Sequence, residues 1–115
     1  MEISTLHESS FCIIAINGEL DASSSILLDK AIESVVCENE TNILIDCKNL
    51  NYISSAGLGV FMSYLQDFQD KDISLVLFGL NDKVRNVFEI LGLDQLLTIV
   101  LSKEEAKSLV NDPLL

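Results

Sequence analysis

The sequence predicts a single α/β domain built on a mixed, mostly parallel β-sheet. Apolar runs of strand length alternate with segments in which apolar residues recur at helical spacing, a pattern typical of parallel strands joined by helical crossovers. Two strand-like segments precede the first helix, so they can form an antiparallel pair. With 115 residues the chain is long enough for one core, and we assign the domain to residues 1–111, followed by a short tail at 112–115.

The predicted order of elements is ββαβαβαβα, with five strands and about four helices. The predicted strands are Glu2–Glu8, Phe11–Ile16, Asn42–Cys47, Ile73–Phe78 and Leu96–Leu101. The predicted helices run from Asp21 to about Cys37, from Ser54 to about Lys71, from Val84 to Gly92, and from Ser102 to Val110. We expect Gly18 to end the second strand, and Asp21 and Ser102 to cap the first and last helices. Gly92 is expected to close the third helix in the left-handed conformation that is common there.

The charge of the chain excludes nucleic acid as a partner. The formal net charge is -11 and Arg85 is the only arginine, so a phosphate backbone would be repelled rather than neutralised. An anionic membrane surface is disfavoured for the same reason, and no apolar run approaches the about 20 residues of a membrane helix. The N-terminal residues lack the basic and apolar regions of a signal peptide, so we expect a cytoplasmic protein without membrane insertion.

The residue types needed for enzyme chemistry or a metal site are missing or misplaced. His7, the only histidine, lies on a presumed edge strand, and Ser55 lacks the G-x-S-x-G surroundings of a hydrolase nucleophile. The S-S-A-G-L-G pattern is not followed by the lysine of a phosphate-binding loop. The three cysteines lack metal-ligand spacing, and Cys12 and Cys47 fit the core of a reduced protein as small side chains. We therefore expect no catalytic residue, metal or cofactor.

The stretch Asn49–Gly59 joins the third strand to the second helix and holds the candidate functional residues. Ser54 and Ser55 stand where the helix begins, and the unpaired N–H groups and partial positive charge of a helix start suit an oxygen cap or an anion. Gly57 and Gly59 each cost about 1 kcal/mol relative to alanine in a helix, so they need a reason. Either another chain or an anion approaches the backbone closely, or the helix packs tightly on the sheet. The second strand ends at the same edge of the sheet as the third, so the two connections should lie together.

These residues resemble the signature of STAS domains, and most closely that of the bacterial anti-sigma factor antagonists. The similar segments are Asn51–Gly59 with Asp46 and Leu50 upstream, Gly18–Asp21 after the second strand, and Phe88–Leu93 near the close of the third helix. The likeness covers essentially the whole chain. Ser55 takes the position that is phosphorylated in the family, Ser54 stands where many members have aspartate, and Ala56 replaces a second hydroxyl.

The resemblance implies a non-enzymatic switch protein. A partner serine kinase that is also an anti-sigma factor would bind the unphosphorylated chain and phosphorylate Ser55, with Ser54 as the second choice, and a serine phosphatase would restore the binding form. The expected docking surface consists of Gly18, Glu19, Asp21, Asn51, Tyr52, Ile53, Ser54, Ser55, Ala56, Gly57 and Leu58.

Two other functions stay open at the level of sequence. One is a STAS interaction module in an assembly without a phosphate cycle, such as a subunit of a lipid-transport ABC complex or a sensory scaffold. The other is a small-ligand or nucleotide-binding domain that uses the helix start as an anion cradle.

Overall fold

Five strands and four α-helices follow one another in the predicted order in the computed structural model, which describes residues 2–8 and 10–110. The strands are β1 Glu2–Glu8, β2 Phe11–Leu20, β3 Asn42–Ile53, β4 Ser74–Phe78 and β5 Thr98–Val100. The helices are α1 Ser24–Cys37, α2 Ser55–Asp70, α3 Asp82–Ile90 and α4 Lys103–Val110, with a 3-10 turn at Leu93–Gln95. The predicted fold class is therefore confirmed.

The strands form one sheet in the order β1-β2-β3-β4-β5, with β1 antiparallel to β2 and the other neighbours parallel. Because successive side chains of a strand point to opposite sides, the sheet presents two faces. α1, α2 and α3 cover one face, where their residues Leu28, Phe61 and Phe88 share a buried cluster with Ile14 of β2. α4 covers the other face, where Ala106 joins a separate cluster of strand side chains.

β2 and β3 extend beyond their predicted ends, so the stretch expected to be a connecting loop is largely strand. Gly18 does not end β2: it lies inside the strand with φ of 114°, and the strand continues to Leu20. β3 continues past Cys47 to Ile53, and this added part pairs with the end of β2. The residues just before the starts of α1 and α2 are therefore held by β-sheet pairing, with Leu20 opposite Ile53, and do not belong to free loops.

Bulges in β3 explain why the sequence of its second half lacks the apolar pattern of a strand. Between the pairs Ala15–Asp46 and Leu20–Ile53, β2 advances five residues while β3 advances seven. The extra residues of β3 break the alternation of inward and outward side chains. The buried positions in this part are Leu50 and Ile53, which are three residues apart instead of two.

The other boundaries lie close to the predicted ones. β4 begins at Ser74 rather than Ile73, and β5 is confined to Thr98–Val100 because a 3-10 turn forms just before it. Gly92 has φ of 72°, the left-handed cap that the sequence predicts.

Burial and hydrogen bonding confirm several single-residue predictions. The His7 side chain is 50% exposed on β1, and Cys12 and Cys47 are fully buried. The hydroxyl oxygen of Ser102 accepts the N–H of Glu105 at 3.2 Å and so caps α4. Within the described ranges, no helix is long and apolar enough to cross a membrane. The predicted tail at 112–115 lies outside the described residues.

Candidate functional site

The start of α2 gives the two candidate serines different roles. Ser54 is the N-cap: its backbone is extended, with φ of -91° and ψ of 171°, and its hydroxyl oxygen accepts the N–H of Gly57 at 3.2 Å. Its carbonyl accepts the N–H of Leu58 at 3.0 Å, which begins the helical hydrogen bonding. Ser55 is the first helical residue and is exposed. The capping role thus falls on Ser54, and Ser55 is the more accessible of the two.

A second helix start lies at the turn between β2 and α1. The Oδ1 atom of Asp21 accepts the N–H of Ser24 at 2.9 Å and the hydroxyls of Ser24 and Ser23 at 2.9 and 3.0 Å. These hydrogen bonds, led by those from Ser24, lower the pKa of Asp21 to about 2. The carbonyl of Asp21 also accepts the N–H of Ser25 at 2.9 Å. The carboxylate and carbonyl of Asp21 thus close the turn that leads into α1, and the carboxylate is ionised at neutral pH. The N-cap position itself is Ser23 rather than the predicted Asp21, and the Ser23 side chain makes no capping hydrogen bond.

The pairing of β2 with β3 brings these two helix starts to one edge of the sheet. The N–H of Ser54 donates to the carbonyl of Leu20 at 2.9 Å. Glu19 lies opposite Tyr52 in the register. Of the predicted docking residues, Glu19, Asp21, Asn51, Tyr52, Ser55 and Ala56 are exposed, Gly18 and Ser54 are half-buried, and Ile53, Gly57 and Leu58 are buried. The exposed members lie near this edge of the sheet, and Ile53 and Leu58 belong to the buried core.

The two glycines of α2 have different structural causes. A Cβ atom on Gly57 would lie 2.8 Å from Cγ and Cδ2 of Leu20 and 3.0 Å from Cγ1 of Ile53, and both side chains are buried. Tight packing of the helix start on the sheet therefore explains Gly57. A Cβ atom on Gly59 would meet nothing within 4 Å. Gly59 lies instead at a shallow groove of about 280 Å³ between α1 and α2.

Two polar contacts near this surface have little or no signal in the sequence. The Tyr64 hydroxyl of α2 donates to Oδ1 of Asp29 in α1 at 2.5 Å, although its spacing marks Tyr64 only as an apolar helix position. Burial, followed by this hydrogen bond, raises the pKa of the Tyr64 hydroxyl. Asn81 caps α3 by accepting the N–H of Val84 at 2.8 Å, and it donates to the carbonyl of Leu50 at 3.2 Å. The cap is a common role for asparagine, but the second bond joins residues 31 positions apart and cannot be predicted from local pattern.

A larger depression, of about 700 Å³, lies away from the candidate site. It is bounded by the second half of α2 and by the starts of β4 and β5, with Met62, Leu65, Leu75 and Leu96 among its walls. Its lining residues, all within the described part of the chain, include no charged side chain. No cationic side chain among these lining residues could therefore neutralise an anionic ligand such as a nucleotide.

Comparison with known proteins agrees with this architecture. Residues 2–106 match the family model of the STAS domain, so the chain belongs to the STAS domain family. Among its relatives, an anti-sigma-B factor antagonist of Listeria monocytogenes is 34% identical over 86 residues, which is 75% of each chain.

Solved structures of similar fold carry related names. One is an anti-sigma factor antagonist from Mycobacterium paratuberculosis, with a TM-score of 0.82, 21% identity and coverage of 96% of each chain. Another is SpoIIAA of Bacillus in its phosphorylated form, with a TM-score of 0.72, 20% identity and coverage of 96% of this chain and 100% of that one. At these identities the likeness shows the fold alone.

Proposed function

We propose that this chain is an anti-sigma factor antagonist whose binding to a partner serine kinase is switched off by phosphorylation of Ser55. The observation that carries the proposal is the difference between the two serines at the start of α2. Ser54 is held as the N-cap, whereas Ser55 is exposed at the first helical residue. A kinase needs an accessible hydroxyl, and the hydroxyl oxygen of Ser54 is half-buried and already bonded to the N–H of Gly57. The names of the Listeria relative and of the phosphorylated Bacillus structure support the two halves of the proposal.

Phosphate on Ser55 is compatible with the folded domain. It adds about -1.5 to -2 charge and three acceptor oxygens. At a helix N-terminus the free N–H groups and the dipole favour such a group by about 0.3–1 kcal/mol. The modification should therefore leave the fold intact and act on the partner.

The surface around Ser55 suits a partner that has basic side chains and a pocket for an aromatic ring. Tyr52, three residues before Ser55 near the end of β3, is 46% exposed, and exposed tyrosines are frequent anchors in protein interfaces. Glu19 and Asp21 add negative charge at the rim, which favours a basic surface on the kinase. The switch requires that these basic groups meet the rim and not Ser55 itself. A phosphate at the desolvated centre of the contact is then uncompensated and costs about 2–5 kcal/mol, which weakens the complex roughly thirty-fold to several-thousand-fold.

The test uses the purified chain, ATP and the anti-sigma serine kinase encoded in the same genome, with phosphate mapped by mass spectrometry. We expect phosphate on Ser55, and its absence from both Ser54 and Ser55 would overturn the proposal. Ser54→Ala serves as the control, because it removes a cap worth about 1 kcal/mol and should leave Ser55 a substrate.

Ser55→Asp separates the switch from the alternatives. The switch requires that this variant lose affinity for the kinase. Unchanged affinity would overturn the switch and leave a STAS domain that binds its partner without a phosphate cycle, since aspartate is well tolerated at a helix start. Calorimetry of the isolated chain with ATP and GTP tests the nucleotide-binding hypothesis, for which we expect no heat of binding.

A further inference from the structure

We propose that the α1–α2 groove extends the docking surface and receives an aliphatic side chain and a neighbouring lysine or arginine of the kinase. The groove is lined from α1 by Ser25, Ile26 and Asp29, and from α2 by Ala56, Gly59 and Ser63. This inference rests on the proposed function, because the groove begins beside Ser55.

Gly59 is the first observation that points to an external group. Glycine inside a helix is destabilising relative to alanine, because it costs backbone entropy and contributes no side chain. Gly57 is required by its contacts with the sheet, but Gly59 has no neighbour that a methyl group would meet within 4 Å. Its exposed backbone instead forms part of the groove, and because glycine has no side chain, a side chain from outside can approach that backbone closely.

Asp29 is the second, independent observation. The Tyr64 hydroxyl fixes its Oδ1 atom, and the carboxylate is half-buried. In the part of the chain that the structure describes, the ion pairs within 4.0 Å include none that involves Asp29. Glu33 and Asp67 add negative charge near the same tyrosine. A carboxylate that is held in place without a cation is a ready acceptor for a lysine or arginine of the partner.

Ile26 supplies the apolar part of the surface. Its side chain is 58% exposed at the α1 side of the groove. An aliphatic side chain lying over Gly59 would cover Ile26 and remove its apolar surface from water. The groove is thus complementary to an aliphatic side chain and an adjacent cation of the partner. The net charge of -11 also favours a cationic partner.

The test measures the affinity of the purified kinase for four variants by calorimetry. Gly59→Ala should bind at least tenfold more weakly while its melting temperature is no lower than that of the wild type. Asp29→Asn should also bind about tenfold more weakly, and its affinity should depend less on salt, because the charge that attracts the cation is lost. The amide oxygen can still accept the hydrogen bond from Tyr64, so the contact between α1 and α2 is kept. Gln66→Ala and Asp70→Asn are the matched controls: both residues lie on the exposed part of α2 outside the groove, and both variants should bind as the wild type does.

The outcomes separate this inference from the proposed function. If Gly59→Ala and Asp29→Asn bind like the wild type while Ser55→Asp loses binding, the groove is not part of the interface and the switch still stands. If the wild type does not bind the kinase at all, both proposals are overturned. The affinity of the kinase for Ile26→Ser is a further test. Because Ile26 is exposed, the fold should tolerate the change, and binding should be weaker.

Discussion

The contrast between Gly57 and Gly59 gives a sharp test of the structure. Both residues lie near the start of α2, and sequence pattern alone treats them alike. Replacement of each by alanine places the same methyl group in two different surroundings. At Gly57 the new atom would lie 2.8 Å from Leu20, which is fully buried, and 3.0 Å from Ile53. At Gly59 it would enter open space.

The magnitude follows from two terms. Alanine favours a helix interior over glycine by up to about 1 kcal/mol, and this term is shared by both variants. Overpacking of a filled core costs about 1–3 kcal/mol, and it applies only to Gly57→Ala. The free energy of unfolding of Gly57→Ala should therefore be about 1–3 kcal/mol below that of Gly59→Ala. At about 4 °C per kcal/mol for a domain of this size, the melting temperatures should differ by about 4–12 °C.

Urea unfolding followed by circular dichroism measures the two free energies, and thermal unfolding gives an independent check. Gly59→Ala should be as stable as the wild type or more so. Equal stability of the two variants would refute the packing assigned to Gly57. A Gly59→Ala variant that is less stable than the wild type would refute the open surroundings assigned to Gly59.

Three further predictions concern single side chains. Tyr64→Phe removes the hydrogen bond to the Asp29 carboxylate between α1 and α2, so the free energy of unfolding in urea should fall by about 1–2 kcal/mol. Asp21 has a pKa of about 2 in the folded state against an ordinary value of 3.8, so the charged form is favoured by folding. Its contribution should be complete above about pH 4 and lost as the pH falls toward 2, and the difference in unfolding free energy between the wild type and Asp21→Asn should shrink over that range. Of the three free cysteines only Cys37 is exposed, and burial raises the pKa of the Cys47 thiol. A thiol reagent should therefore label one cysteine in the native protein, and Cys37→Ser should abolish that labelling.

The order of the elements could be predicted because the helices carry apolar residues at helical spacing, whereas the central strands are short continuous apolar runs. Ile14 and its neighbours in β2 are buried on both faces of the sheet, so they form a continuous apolar run that needs no alternation. The second half of β3 could not be predicted as strand in the same way. Its buried residues, Leu50 and Ile53, are three apart because bulges add residues to β3 relative to β2. The stability of that segment comes from pairing with a strand distant in sequence, which local pattern does not contain.

The candidate site was predictable in position but not in detail. Serines at a strand-to-helix junction indicate a cap, yet the sequence does not say which serine has the extended backbone of an N-cap. That assignment depends on the pairing of β2 with β3, which fixes the N–H of Ser54 on the carbonyl of Leu20. The contact between Tyr64 and Asp29 depends in the same way on how α1 and α2 pack, because the two residues lie 35 positions apart.

The two proposals meet in the geometry of α2. Ser55 and Gly59 are four residues apart in one helix, so they lie on the same side of it and are separated by about 6 Å along its axis. A partner chain that reaches into the groove at Gly59 would therefore lie next to Ser55. A phosphate at Ser55 would then be buried against that partner without a compensating charge from α1, whose groove residue Asp29 is itself acidic. The fixed carboxylate would bind the cation of the docked segment, whereas the phosphate on Ser55 would oppose docking by its bulk and by the cost of removing it from water. Such a switch needs no rearrangement of the fold, because a rigid helix already holds the modified residue and the docking groove one turn apart.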